Sequence, residues 1–253
     1  MEQTGWTLHQ TPIFGLEWEY FISILAFCMI LSRRLLFSFG HNNYSGRRIT
    51  PLNGYRIQFL PAVIFPAMSM LYCWTTSVTA INSLFVLPYL SRALFYAPMA
   101  CTSIPNTPLC IILLRGFYNL LNGFFQAAYN TYFLESYENE SRTVFWIGVA
   151  VYMLGYGISW VSDIKLVGQK FTNMFGTQIV RGYMFEYVTC PNYLGETIIW
   201  IGYAIAARTF PSIVFAFVYA WILVNQSLER HEYYRRQWDH YPKHRKAIIP
   251  FLL

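Results

Sequence analysis

The stretch Thr189-Cys190-Pro191-Asn192-Tyr193-Leu194-Gly195-Glu196 runs directly into the apolar segment Thr197 to Ala207. A polar loop thus turns into a hydrophobic helix, with Pro191 suited to a first helical position. In that helix Asn192 and Glu196, four residues apart, share one face. A carboxylate within a membrane segment is costly and tends to line a cavity or polar site, so Glu196 is the first functional candidate. The alternative is a capping Asn192 and a Glu196 that stays among lipid headgroups.

The whole chain shares this character. Of 253 residues, 55% are hydrophobic, 19% aromatic and 12% charged, and mean hydropathy is +0.33. Those charges are too few to give a globule of this size a water-facing surface, so the sequence predicts an all-α integral membrane protein, one membrane-embedded domain over residues 1–253. The five cysteines, Cys28, Cys73, Cys101, Cys110 and Cys190, form no C-x-x-C pair and read as buried thiols. Met1 to Trp18 carries Glu2 and Glu17 without Lys or Arg, unlike the basic front of a cleavable signal, so the first apolar run reads as a retained anchor.

Apolar runs at Tyr20 to Leu31, Ile57 to Trp74, Ala80 to Tyr96, Leu109 to Leu134, Val144 to Trp160, Tyr193 to Ala207 and Ile213 to Val224 predict a bundle of seven transmembrane helices. Pro61, Pro66 and Pro88 fall inside the second and third runs, where kinks are expected and neighbouring helices must satisfy the freed carbonyls. Basic residues test the count. Between runs one and two lie Arg33, Arg34, Arg47, Arg48 and Arg56; between five and six, Lys165, Lys170 and Arg181; after seven, Arg230, Arg235, Arg236, Lys243, Arg245 and Lys246. Seven spans put all three groups on one side, which predicts a lumenal N-terminus and a cytoplasmic C-terminus. The acidic loop Glu135 to Arg142, with the sequon Asn139-Glu140-Ser141, then faces the lumen. No internal repeat, Gly-rich phosphate loop or H-E-x-x-H is present, so neither a Rossmann domain nor a metal site is indicated.

Polar groups within the runs mark candidate chemistry. A helix brings Tyr89, Arg92 and Tyr96 onto one stripe, and Asn122 and Gln126 stand four apart on another. Interhelical hydrogen bonding is the alternative to a binding role. Asp163 closes the fifth run, and beyond it Lys165, Lys170, Arg181 and the C-terminal Glu229 to Lys246 supply cations and aromatic planes. Such a patch suits a polyanion with a stackable ring, as in a nucleotide; otherwise it sets topology or touches anionic lipid.

Asn192-Tyr193-Leu194-Gly195-Glu196 with Trp200-Ile201-Gly202-Tyr203-Ala204, His231-Glu232-Tyr233-Tyr234 and Tyr241-Pro242-Lys243-His244-Arg245-Lys246-Ala247 resembles the C-terminal domain of the steroid 5α-reductase (3-oxo-5-alpha-steroid 4-dehydrogenase) family. Arg115-Gly116, Asn122-Gly123, Gln126 and Ser162-Asp163 also match, so the resemblance covers residues 84–253 and continues more weakly before them. It implies a multi-pass enzyme of the endoplasmic reticulum membrane that uses NADPH to reduce a carbon–carbon double bond conjugated to a ketone, with a 3-oxo-Δ4-steroid as the expected substrate. By the same resemblance Asp163, Asn192, Glu196, His231, Tyr234 and Arg245 are cofactor-binding, joined by Lys170, Arg92, Asn122 and Gln126, and Tyr89 and Gln58 are catalytic. Tyr89 matches the family's hydrogen-bond donor to the substrate carbonyl. A lipophilic small molecule and membrane lipid are the expected partners, without nucleic acid, and a monomer is expected.

The chain departs from the family in three places. Gln58-Phe59-Leu60-Pro61 stands where the family has Gln-Glu-Leu-Pro, so the glutamate that assists the tyrosine is absent; Phe39-Gly40 replaces a Tyr-Gly, and Ala100 to Pro108 lacks the usual basic residues. Cys190-Pro191-Asn192-Tyr193 is similar to the related trans-2-enoyl-CoA reductases, and polyprenol reductases are a further relative. A seven-helix receptor or transporter is the alternative outside enzymes; a transporter would show two related halves.

Overall fold

Proline marks where several of the described helices begin or break. A computed structural model describes residues 47–73, 75–100, 106–134, 142–172 and 179–252. Helix α1 (Pro51–Phe59) and helix α2 (Pro61–Tyr72) each start on a proline, and the expected second run is divided at Leu60 because Pro61 has no N–H to continue the ladder. Helix α3 (Thr76–Leu90) continues as a π-helical segment, Ser91–Tyr96, and a last turn, Ala97–Ala100. Then come α4 (Leu109–Leu134), α5 (Arg142–Thr172), α6 (Pro191–Ala207) and α7 (Phe210–Gln237). Among the described residues there are also two short pairings, Arg48–Ile49 antiparallel to Thr107–Pro108 and Val188 parallel to Lys246, and a 3-10 turn at Tyr183–Glu186.

Among the described residues, four helical stretches are long and apolar enough to cross a membrane: Thr76–Met99, Leu109–Thr131, Arg142–Gln169 and Phe210–Gln237; α2 is a shorter apolar helix. The protein is therefore an all-α multi-pass membrane protein. The expected first run, Tyr20 to Leu31, the loop containing Asn139, and Phe39 lie outside the described residues.

Each proline inside these helices strips the carbonyl four residues earlier of its helical donor. Pro88 frees the Leu84 carbonyl, which accepts the Tyr152 hydroxyl from α5 at 2.9 Å. Pro61 and Pro66 free the carbonyls of Ile57 and Ala62, and both meet glycines of α4. A Cβ on Gly116 would lie 2.8 Å from the Ile57 oxygen, and one on Gly123 2.4 Å from that of Ala62, so the glycine Cα–H groups point at these carbonyls. Between them Asn119 Nδ2 donates to the Gln58 carbonyl at 2.7 Å.

α5 and α6 pack through small residues in antiparallel register. Gly148 meets Gly202 and Ala206, and Gly155 meets Gly195 and Ile199, at separations where no side chain fits. Beside this seam Phe85, Tyr89, Trp200, Tyr203 and Phe215 form an aromatic core, with Trp200 and Phe215 edge to face at 4.7 Å.

A Cβ at position 195 would lie 2.4 Å from the Ser159 backbone nitrogen, whereas one at 157 meets nothing within 4 Å. Gly195→Val is therefore expected to destabilise the protein by about 1–3 kcal/mol through overpacking, and Gly157→Ala, at an open helical position, to hold or slightly raise the melting temperature of the detergent-solubilised protein.

Candidate active site

At the centre of the cleft is an arginine held in the membrane by two carboxylates. Arg92, on the π-helical segment after α3, places Nη1 3.1 Å from Asp163 Oδ2 of α5, and its Nη2 donates to Glu196 Oε1 of α6. Glu196 Oε2 also accepts the Tyr219 hydroxyl of α7 at 3.1 Å, and the Arg92 guanidinium lies 4.8 Å from the centre of the Tyr96 ring. Helices α5, α6 and α7 and the end of α3 thus converge on one cation. One guanidinium between two carboxylates leaves a formal negative charge in excess, so the cluster favours ligands that donate hydrogen bonds. Asp163 Oδ1 is buried and has no partner among the described residues, which supplies a free acceptor. The π-helical turn is stitched to α5 where Ser91 and the Tyr156 hydroxyl meet at 2.7 Å. Single π-helical turns often mark functional sites.

This cluster lines a cleft with Phe59, Tyr89, Tyr156, Trp160, Trp200 and Tyr219, so one end is charged and the walls are aromatic. Tyr89 is buried, and its oxygen accepts from Asn122 Nδ2 of α4 at 3.2 Å. Its own proton stays available for an acceptor in the cleft. The Phe59 ring centre is 6.1 Å from that of Tyr89. Behind Phe59, Arg115 Nη1 donates to Gln58 Oε1 at 3.3 Å.

A second polar cluster ties the C-terminal segment to the start of α6. Thr189 Oγ1 is 2.5 Å from His231 Nδ1 and 2.6 Å from the Tyr241 hydroxyl, and the Thr189 and Cys190 amides donate to the carbonyls of Lys246 and Ala247. Arg245 is buried with its guanidinium 5.3 Å from the Tyr241 ring centre, and its Nε and Nη2 have no partner among the described residues. Tyr234 packs on Tyr241, and Arg230 lies 5.4 Å from the Tyr193 ring centre. Burial pushes the Cys190 thiol up to about 12, which keeps it protonated and inert.

Residues 105–253 match the family model for 3-oxo-5-alpha-steroid 4-dehydrogenase. The chain belongs to this family. It is an oxidoreductase, similar to 3-oxo-5-alpha-steroid 4-dehydrogenase 1 of Mus musculus (29% identity over 92% of this chain and 95% of the relative). It is also similar to 3-oxo-5-alpha-steroid 4-dehydrogenase 2 of Sus scrofa (33% identity over 78% of each) and to Steroid 5-alpha-reductase DET2 of Arabidopsis thaliana (37% identity over 57% of this chain and 56% of the relative).

The candidates that the sequence offered for this 5-alpha-reductase family member fall into three groups. Arg92, Asp163 and Glu196 meet directly, with Asn192 of α6 facing Asp163. His231, Tyr234 and Arg245 gather around Tyr241 and Thr189. Tyr89 and Asn122 pair with each other, Gln58 pairs with Arg115, and Gln126 accepts from the Tyr203 hydroxyl at 3.0 Å. Lys170 lies near the end of α5, and its side chain is outside the described residues. Sequence reasoning missed Tyr219, an aromatic within an apolar run whose hydroxyl gives no periodic signal. It also missed Asn130, although continuing the four-residue step from Asn122 and Gln126 leads straight to it.

Because Arg92 and Glu196 are partly buried partners, Arg92→Met and Glu196→Gln are each expected to destabilise the protein, while the double variant loses less than the two combined. A thermal double-mutant cycle should return a coupling of about 1–3 kcal/mol; additivity would mean that the pair contributes nothing.

Proposed function

We propose that this chain is a multi-pass enzyme of the endoplasmic reticulum membrane that reduces the conjugated double bond of a 3-oxo-Δ4-steroid with NADPH. In this reading seven helices span the bilayer, with a lumenal N-terminus and a cytoplasmic C-terminus, and the chain acts as a monomer. The observation that carries the reading is the placement of Tyr89: its hydroxyl, bonded by Asn122, lies on an aromatic cleft that also contains the Arg92–Asp163–Glu196 cluster.

The residues present suit the parts of a nicotinamide dinucleotide. The cluster's excess negative charge and the unpartnered Asp163 Oδ1 suit a carboxamide or ribose hydroxyl, which donate hydrogen bonds. Buried Arg245, with two unpartnered donor nitrogens, suits an anionic phosphate, and Arg230 adds a second cation. His231 and Tyr234 hold the C-terminal segment that carries Arg245, and Asn192 orients Asp163. When bound, NADPH supplies a hydride to the β-carbon of the enone. As charge builds on the substrate oxygen, the free Tyr89 proton stabilises it more in the transition state than in the ground state. Trp200, Phe59 and Tyr156 exclude water and present flat apolar faces to a fused-ring substrate. Gln58 and Arg115 brace the helix that carries Phe59.

Phe59 replaces the family's glutamate with an aromatic wall, so Tyr89 is left as the carbonyl donor. Tyr89→Phe is therefore expected to lower kcat by about 100-fold or more, in the range seen when one oxyanion donor is removed, and near-normal turnover would refute this role. Phe59→Glu is expected to raise turnover of a 3-oxo-Δ4-steroid. The reading itself is tested by NADPH oxidation with purified protein against a 3-oxo-Δ4-steroid, a trans-2-enoyl-CoA and a polyprenal, with product mass showing a gain of two hydrogens. Turnover of the steroid supports it; turnover of another member alone reassigns the substrate, and failure of all three overturns it.

A further inference from the structure

The cleft accounts for one side of α3; the other side faces a polar ladder inside the bundle. Asn122, Gln126 and Asn130 of α4 follow at four-residue steps, and all three are fully buried. At one end Asn122 bonds Tyr89. At the other, Asn130 Nδ2 donates to Asn82 Oδ1 at 2.8 Å and to the Tyr203 hydroxyl at 3.1 Å. Asn82 Nδ2 donates to Ser69 Oγ at 3.2 Å, and Ser69 meets Thr131 Oγ1 at 2.5 Å. Thr131 spends its proton on the Ala127 carbonyl, so Ser69 is the donor between them. Ser69 and Thr131 are only half-buried, within a turn of the ends of α2 and α4. The ladder thus leads from the buried tyrosine of the cleft to the far end of the bundle.

Each rung leaves one polar atom unpartnered among the described residues: Asn122 Oδ1, Gln126 Nε2 and Asn130 Oδ1. A buried amide atom without a partner is costly, and three on one face of α4 call for a common partner. The atoms are complementary. Gln126 Nε2 is a donor one turn from the acceptor Asn122 Oδ1, and a water accepting from the first and donating to the second satisfies both. Tyr89 and Tyr203 pack on the same rings, Phe85 and Trp200, which sets their hydroxyls along this face.

We propose that the α4 ladder binds a file of internal water that returns a proton to Tyr89 from the end of the bundle marked by Ser69 and Thr131. The proton role rests on the reductase reading; the water file does not. Reduction of an enone consumes one hydride and one proton. The Tyr89 O–H bond breaks as the proton passes to the substrate oxygen, and the resulting enol becomes the saturated ketone by moving that proton to its α-carbon. The phenolate then takes a proton from the ladder water, and that water recovers one from solvent along the rest of the file. One solvent proton enters per turnover, and Tyr89 is restored.

Hydroxyl-radical footprinting of the full-length protein tests the water file without reference to activity, because buried side chains are labelled only where water reaches them. Tyr152 is the internal control: it is as fully buried as Tyr203, but its hydroxyl bonds the Leu84 carbonyl rather than a side chain of the ladder. Tyr203, which does not line the cleft, is expected to label about tenfold faster than Tyr152, and equal rates overturn the proposal whatever the turnover. Gln126→Met, which removes the free donor and the acceptor of the Tyr203 hydroxyl but keeps the volume, is expected to abolish that excess and to lower kcat about 100-fold, at the low end of what proton transfer contributes, with KM little changed. Gln126→Glu, able to donate when protonated, should restore both. Fast labelling together with an unchanged kcat and solvent isotope effect in Gln126→Met overturns the relay. If the wild-type protein turns over no enone, the reductase reading fails with the relay, and labelling alone decides the water file.

Discussion

A backbone carbonyl in hydrocarbon has no water to bond, and leaving one unpaired costs several kcal/mol. Three prolines in α2 and α3 create that problem three times, and the solutions fix which helices touch. Pro88 commits α3 to α5 through Tyr152, because a hydroxyl there is the donor that reaches the Leu84 carbonyl. Pro61 and Pro66 commit α1 and α2 to α4, where Gly116 and Gly123 remove the side chains that would keep a Cα–H from the freed oxygens. Once these contacts are set, Tyr89 and Arg92 stand within reach of α4, α5 and α6 at once.

A regular helix would place Tyr89 and Arg92 on one stripe. The π-helical turn beginning at Ser91 separates their partners: Tyr89 bonds α4 through Asn122, while Arg92 bonds α5 and α6 through Asp163 and Glu196. The charge cluster can exist in the membrane because it is internally paired. Neither carboxylate could be held there alone at modest cost, and the cation between them also recruits Tyr219 and Tyr96. Breaking the ladder of α3 thus lets one helix serve two polar sites.

Much of this was legible in the sequence, for identifiable reasons. Apolar run length and the positions of proline are local properties, so the long helices could be read directly, whereas the kink expected at Pro61 is a full break between two helices. Glu196, Asp163 and Arg92 stood out because charge in an apolar run is rare whatever the fold. What could not be read was partnership. Nothing in the spacing says that Arg92 takes both carboxylates, or that Asn122 turns to a tyrosine while Gln126, on the same stripe, turns to Tyr203. The glycine seam between α5 and α6 was also invisible, since Gly148, Gly155, Gly195 and Gly202 gain meaning only when two helices are laid side by side. The π-helical turn has no composition signal at all.

Phe59 gains its meaning from the same geometry. Its ring fills the cleft wall beside Tyr89, where a carboxylic acid would have been a second source of protons and hydrogen bonds. With that position apolar, the carboxylates that line the cleft among the described residues are Asp163 and Glu196, both engaged with the Arg92 guanidinium. A tyrosine that gives up a proton must then recover it from behind, and behind it lies α4, with Asn122 on its oxygen and unpartnered amide atoms leading away from the cleft. In the proposed relay the aromatic wall and the ladder are one arrangement: Phe59 keeps a carboxyl group from the cleft side of Tyr89, and proton supply comes from the α4 side.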